Sequence, residues 1–123
     1  MSAPKRILIV EDSLDVQSLL TLFLQNEGYT ITYADNGRKA LDILKTTKEL
    51  PGLILLDLMM PDMDGFSFRK EQNKIPEIAK IPIIVMTADA DGQSKAAAVG
   101  ANAFLKKPFL NLDTIVSTID RFF

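Results

Sequence analysis

Leu53-Ile54-Leu55-Leu56-Asp57 decides the fold. Four consecutive aliphatic residues near the middle of the chain are too apolar for a strand with one wet face, and they end abruptly at a carboxylate. That pattern predicts a strand buried on both sides, as in a parallel sheet covered by helices. Downstream, a loop through Pro61 leads to a helix from Gly65 to Gln72. Its apolar stripe is weak, with Phe66 and Phe68 two apart among Arg69, Lys70 and Glu71. Upstream, Ile7-Leu8-Ile9-Val10 repeats the buried-strand signature and also runs into acids, Glu11 and Asp12.

The rest of the chain repeats the same unit. Val16, Leu19, Leu20, Phe23 and Leu24 recur at helical spacing and stop near Gly28. Tyr29–Ala34 alternates loosely as a second strand, Asp35-Asn36-Gly37 breaks it, and Ala40, Leu41 and Leu44 mark one face of a second helix. Ile81–Met86 reads as a fourth strand, with Pro82 tolerable only near its start. An alanine-rich helix from Asp91 to Val99 is stopped by Gly100. Ala103–Lys106 is a short fifth strand, and Leu112, Ile115, Val116 and Ile119 give the last helix a clear stripe. Strand–helix units at intervals of about 20–25 residues predict an α/β domain, a five-stranded parallel sheet with five helices on its two faces. At 123 residues the chain is one ordinary domain, and area scaling buries about two thirds of its surface. Residues 1–123 are therefore expected to form a single domain, with no output domain after the last helix.

Composition narrows the chemistry. Cysteine and histidine are both absent, which removes thiolate sites and any imidazole ligand, base or phosphoryl carrier. A metal would be held mainly by oxygen, which favours a hard cation such as Mg²⁺. Fourteen basic against sixteen acidic residues give a net charge of −2, a poor footprint for nucleic acid. The longest apolar runs fall far short of a membrane span, and Met1–Arg6 is too short and polar to open a signal peptide. A cytoplasmic, soluble protein is expected.

In an open parallel sheet, ligands gather beyond the carboxyl ends of the strands. Those ends carry Glu11-Asp12, Ala34-Asp35, Asp57, Thr87 and Lys107. If the first and third strands are neighbours, three carboxylates converge, and a divalent cation is the natural way to join them. Three carboxylates against Lys107 leave two formal negative charges, which one Mg²⁺ neutralises. A phosphoryl group would then meet two cations, with Asp57 as a nucleophile that has no proton to lose and Thr87 as a hydroxyl donor. Each residue alone also has a plainer reading: Asp57 as a turn former, Glu11-Asp12 as a helix cap, Lys106-Lys107 as a solvated pair, Thr87 as a turn residue, Phe104 as a core aromatic. What favours a site is that carboxylates, hydroxyl and amine share one sheet edge.

Taken in order, Ile7-Leu8-Ile9-Val10-Glu11-Asp12, Asp57-Leu58-Met59-Met60-Pro61-Asp62-Met63-Asp64-Gly65, Met86-Thr87-Ala88, and Gly100 through Lys107-Pro108-Phe109 resemble the response-regulator receiver domain of two-component signalling. The resemblance runs from Lys5 to the last helix. It implies a flavodoxin-like, doubly wound sheet of strand order 2-1-3-4-5, an order taken from the family. It also implies Asp57 as phosphoacceptor, Asp12 as a direct Mg²⁺ ligand (Mn²⁺ as substitute), Glu11 reaching the metal through water, and the Met59 backbone carbonyl as a further ligand. Thr87 matches the switch hydroxyl, Phe104 the switch aromatic, and Lys107 the family's lysine, followed by a cis peptide bond to Pro108. Phenylalanine replaces the more common tyrosine, so no partner contact can use that hydroxyl here. Met59 and Asp89 fall where the family tunes water access to the acyl phosphate, with opposing signs.

The implied function is a phosphorylation-activated response regulator. It would be charged by a sensor histidine kinase or histidine phosphotransfer protein, catalyse its own transfer and slow dephosphorylation, and otherwise act as a regulator rather than an enzyme. Its signal would pass through protein–protein contacts on the face of the fourth helix, fifth strand and last helix, near Lys95, Phe104 and Lys106, without direct contact to nucleic acid or membrane. The alternatives are a phosphorelay intermediate, a receiver fragment of a larger regulator or hybrid kinase, a metal-dependent aspartyl phosphohydrolase, and an inert interaction module. Phosphohydrolases of similar topology resemble an Asp-x-Asp pattern after the first strand. Here Asp57 follows the third strand, and Met59 stands two residues on.

Overall fold

The computed structural model describes residues 5–60, 63–109 and 111–123. The elements run β1 (Arg6–Val10), α1 (Leu14–Asn26), β2 (Thr30–Ala34), α2 (Gly37–Thr46), β3 (Leu53–Asp57), α3 (Gly65–Gln72), α4 (Pro76–Ala79), β4 (Ile83–Thr87), α5 (Gly92–Ala98), β5 (Ala103–Lys106) and α6 (Leu112–Asp120). The strands form one sheet in the order β2-β1-β3-β4-β5, every neighbouring pair parallel. The parallel sheet is what the sequence pattern implies, and the strand order is the one the family resemblance implies.

Alternation along the central strands builds two cores. Leu8, Val10, Ile54, Leu56, Ile83 and Val85 face one side, where α2, α3 and α5 supply Leu41, Phe68 and Ala96. Ile7, Ile9, Leu53, Leu55, Ile84 and Met86 face the other, against Leu20 and Leu24 of α1 and Ile115 and Ile119 of α6. Every residue of β3 and β4 is buried, so their run of aliphatics has no wet face to serve. Each such side chain contributes about 1.5–3 kcal/mol when fully removed from water. The edge strand β2 differs: Thr30, Thr32 and Tyr33 are exposed, which explains its looser pattern.

Among the described residues there is one helix more than the sequence expectation. Pro76 opens a single turn, α4, with its ring at the first helical positions, and Ile78 of that turn is buried in the core. Four residues are too few to show a 3.6-residue period, so the turn has no signature of its own. It also moves the start of β4 to Ile83, leaving Ile81 and Pro82 ahead of the strand.

The weak stripe of α3 is resolved by polar packing. Phe68 is buried and Phe66 exposed, as their two-residue spacing requires. Gln72 is buried as well, and its amide donates to Ile78 O (2.7 Å) and Ile81 O (3.3 Å). Arg69 donates to Val99 O (2.9 Å) and to the Gln72 side-chain oxygen (3.0 Å). This chain of bonds ties α3 to α4 and to the end of α5 where an apolar helix would have used hydrophobes.

Candidate functional site

Strand register assembles the site. Val10 pairs with Leu56, so Glu11 comes level with Asp57; Asp57 pairs with Met86, one residue before Thr87; Thr87 pairs with Lys106, one before Lys107. The carboxyl ends of four strands therefore deliver Glu11, Asp57, Thr87 and Lys107 to one edge. Lys107 is held there by its backbone N–H, which donates to Thr87 O (3.0 Å), and the Lys107–Pro108 peptide bond is cis.

Glu11, Asp12 and Asp57 each present a carboxylate oxygen, and the three oxygens lie within 4.8 Å of one another. Glu11 and Asp57 are buried and Asp12 is exposed. One oxygen of Glu11 is ion-paired to the Lys107 ammonium, and the other accepts from the Ser13 N–H at 3.2 Å. Asp57 receives Lys107 Nζ at 3.4 Å on one oxygen and the Met59 N–H at 3.2 Å on the other. Burial, and then the neighbouring Asp57 carboxyl, push Glu11 up to about 7, against the pull of Lys107. Three carboxylates against the single Lys107 ammonium leave the cluster short of positive charge. An all-oxygen donor set with that deficit fits a hard divalent cation, and Mg²⁺ is the match.

A cleft of about 280 Å³ opens beside the acids, lined by Asp57, Met59, Thr87, Ala88, Asp89 and Lys107. Met59 stands at its mouth, 62% exposed, and the buried Thr87 hydroxyl accepts from the Asp89 N–H at 3.1 Å. Phe104 lies apart from the acids, half-buried, on the sheet face that carries Val85. It does approach Thr87, through Gly92. A β-carbon on Gly92 would stand 2.6 Å from the Thr87 methyl and 2.8 Å from the Phe104 ring, so the first residue of α5 is pressed against both. Pro61, quoted in the loop after Asp57, lies outside the described residues.

Three features of the site escaped the sequence reading. Gln17 is buried, and its amide donates to the Glu11 carbonyl, fixing the end of β1 from α1. Gly92 packs as just described. Asp89 is ion-paired to Lys95 of α5. None has a motif, since each depends on contacts with residues remote in sequence or across a turn.

The family model described as response regulator receiver domain matches residues 7–120. The chain belongs to the response regulator receiver family. Sporulation initiation phosphotransferase F of Bacillus subtilis is 38% identical to this receiver over 120 residues, covering 96% of the chain and 93% of that protein. The receiver domain of the sensor histidine kinase PA1611 of Pseudomonas aeruginosa, solved with a magnesium ion coordinated in its active-site cleft, superposes with a TM-score of 0.87. It is 28% identical and covers 98% of each chain. The response regulator TrrA of Thermotoga maritima, solved in complex with Mg²⁺–BeF, gives a TM-score of 0.84 at 30% identity over 97% of this receiver and 99% of that chain. The Glu11, Asp12 and Asp57 triad thus stands on the fold that holds Mg²⁺ in those structures, and the chain is a regulatory receiver domain by family. Among the described residues, no helix is long and apolar enough to cross a membrane.

Proposed function

We propose that residues 1–123 form a single receiver domain whose Asp57 accepts a phosphoryl group from a sensor histidine kinase or histidine phosphotransfer protein. The carrying observation is the convergence of Glu11, Asp12 and Asp57 within 4.8 Å, with Lys107 reaching two of the three and Thr87 on the same cleft. A bound Mg²⁺ would be held by Asp12, Asp57 and the Met59 backbone carbonyl, with Glu11 behind a water, and would supply charge neutralisation for an incoming dianion.

The chain's own residues do the remainder. Asp57 attacks phosphorus directly, because a carboxylate nucleophile needs no base to remove a proton first. The P–N bond of the phosphohistidine breaks, and its electron pair returns to the donor imidazole. Lys107, restrained by Glu11 and by its backbone bond to Thr87 O, presents its ammonium to the transferred oxygens. The Thr87 hydroxyl turns from the Asp89 N–H toward the phosphoryl group and vacates space that Phe104 takes up. The face of α5, β5 and α6, with Lys95 and Lys106, then changes shape for a downstream protein in the cytoplasm. Swinging such an equilibrium from 1:99 to 99:1 takes about 5.5 kcal/mol of differential stabilisation, within reach of a dianion held by metal, lysine and hydroxyl.

The test is phosphotransfer from candidate histidine kinases, read by intact mass. One phosphoryl group is expected on the native chain with Mg²⁺ and none on Asp57→Asn. Modification that persists in Asp57→Asn refutes the assignment.

A further inference from the structure

Gln17 sits on the buried face of α1, 3% exposed, in line with Leu20 and Leu24. A buried amide on an otherwise apolar helix face needs partners. Its Nε2 has two: it donates to the Glu11 carbonyl and reaches Asp35 Oδ1 at 3.5 Å. The other oxygen of Asp35 holds Lys39 Nζ at 2.9 Å. The Glu11 carbonyl is therefore tied to α1 and, through Asp35, to the first turn of α2.

That carbonyl belongs to the peptide plane joining Glu11 to Asp12. On its other side Glu11 is fixed separately, by its own N–H donating to Ala34 O at 3.0 Å. A peptide unit is planar and turns as one piece, so the bond from Gln17 sets the direction in which the chain leaves Glu11 and enters Asp12. The consequence falls on Asp12 more than on its neighbours. Glu11 and Asp57 are buried and held by packing, whereas Asp12 is exposed and depends on its backbone to aim its carboxylate. With the Glu11 carbonyl released, the plane is free to turn toward water. Asp12 would then swing out of the 4.8 Å cluster that it forms with Glu11 and Asp57.

We propose that Gln17 is a positioning residue of the metal site: by holding the Glu11 carbonyl, it aims Asp12 at the cation that Asp12 and Asp57 share. The proposal rests on Asp12 being a direct ligand of bound Mg²⁺. Gln17 itself touches no metal. It acts through one peptide plane, with the Asp35–Lys39 pair behind it steadying the amide.

The experiment strips the whole chain of metal, titrates it with Mg²⁺ and follows the backbone ¹H–¹⁵N signals. Gln17→Met keeps the length and bulk of the side chain and removes the donor. It is expected to bind Mg²⁺ about tenfold more weakly, the lower end for loss of a residue that supports a metal ligand. The Asp12 nitrogen, which shares the peptide plane, should already be shifted in the metal-free variant. Gln72→Ala removes the other buried glutamine, on α3 at the far end of the sheet, and is expected to lower Tm while keeping the native Mg²⁺ affinity. In the native chain, the Gln17 side-chain amide protons should exchange with solvent far more slowly than those of the exposed Gln25, a measurement that needs no variant to fold. Native affinity in Gln17→Met overturns the proposal. So does an equal loss in Gln72→Ala, which would mean only a loosened fold, or Gln17 exchange as fast as that of Gln25. Native affinity in Asp12→Ala instead overturns the ligand assignment, and the proposal with it.

Discussion

Gly65→Ala tests how tightly the third helix is seated against the strand that carries Asp57. Gly65 opens α3, and its N–H donates to Leu58 O at 3.0 Å. A β-carbon there would stand 2.7 Å from Leu58 Cδ2, 2.8 Å from Leu58 Cα and 2.9 Å from Asp57 O. The first of these can rotate away; the other two are backbone, so relief requires moving the helix or the strand end. Overpacking of this kind costs about 1–3 kcal/mol, and the helix propensity of alanine returns at most about 1 kcal/mol of it. A net loss of about 1–2 kcal/mol is expected. With an unfolding entropy of about 2.1 cal/mol/K per residue, a 123-residue chain melts about 4–8 °C lower. Thermal unfolding with and without Mg²⁺ is the assay, and Gly100→Ala is the control. Gly100 has φ +71° and precedes β5 at the sheet end away from the acids, so alanine strains its backbone by about 1–2 kcal/mol while leaving the triad in place. The Mg²⁺-induced rise in Tm should shrink in Gly65→Ala and persist in Gly100→Ala. A Gly65→Ala chain with native Tm and native response to Mg²⁺ would falsify the claim that this contact sets the position of Asp57.

Three further outcomes are expected. Phe68→Ala, at the centre of the core between α3 and the sheet, should lose about 3–5 kcal/mol in urea unfolding with little change in the m-value. Gln72→Ala removes the side-chain donor to Ile81 O and one of two donors to Ile78 O, which keeps the Ile81 N–H at 3.2 Å, and should lose about 1–3 kcal/mol by the same assay, whereas a merely solvated glutamine would lose almost nothing. A carbon-detected NMR titration should place Asp89 below the ordinary carboxylate range, and Lys95→Met should move it upward. Because the folded value is the depressed one, the pair's stabilisation is present above the unfolded value of about 3.9 and is lost as pH falls through the folded value. Stability near neutrality should therefore show no pH slope from this pair.

The chemistry-bearing positions were legible because parallel strands buried on both faces leave a plain record. Ile7–Val10, Leu53–Leu56 and the aliphatics before Thr87 have no polar alternation, so the first polar residue after each run marks the sheet edge. Behind the shorter β5 the first polar residue is Lys106, the last of the strand, and Lys107 stands one beyond it. Other parts carried no such record. The turn at Pro76–Ala79 is shorter than the period that would reveal it. The weak stripe of Gly65–Gln72 gave no sign that Arg69 and Gln72 bond to Val99 O, Ile78 O and Ile81 O, acceptors that other segments bring.

The order of residues along the chain was sufficient to determine five strands, the helices other than the short α4, and the set of groups at the strands' carboxyl ends, because hydrophobic periodicity is a local property. Which of those groups touch was decided only by tertiary structure. Register carried Glu11 level with Asp57, folding brought the Lys107 ammonium onto both, and the pairing of Asp89 with Lys95 and the seating of Gly92 between Thr87 and Phe104 followed from how α5 docks. Electrostatic and steric contacts act through a few ångströms of space, whatever the separation in sequence, and so only the folded chain sets them.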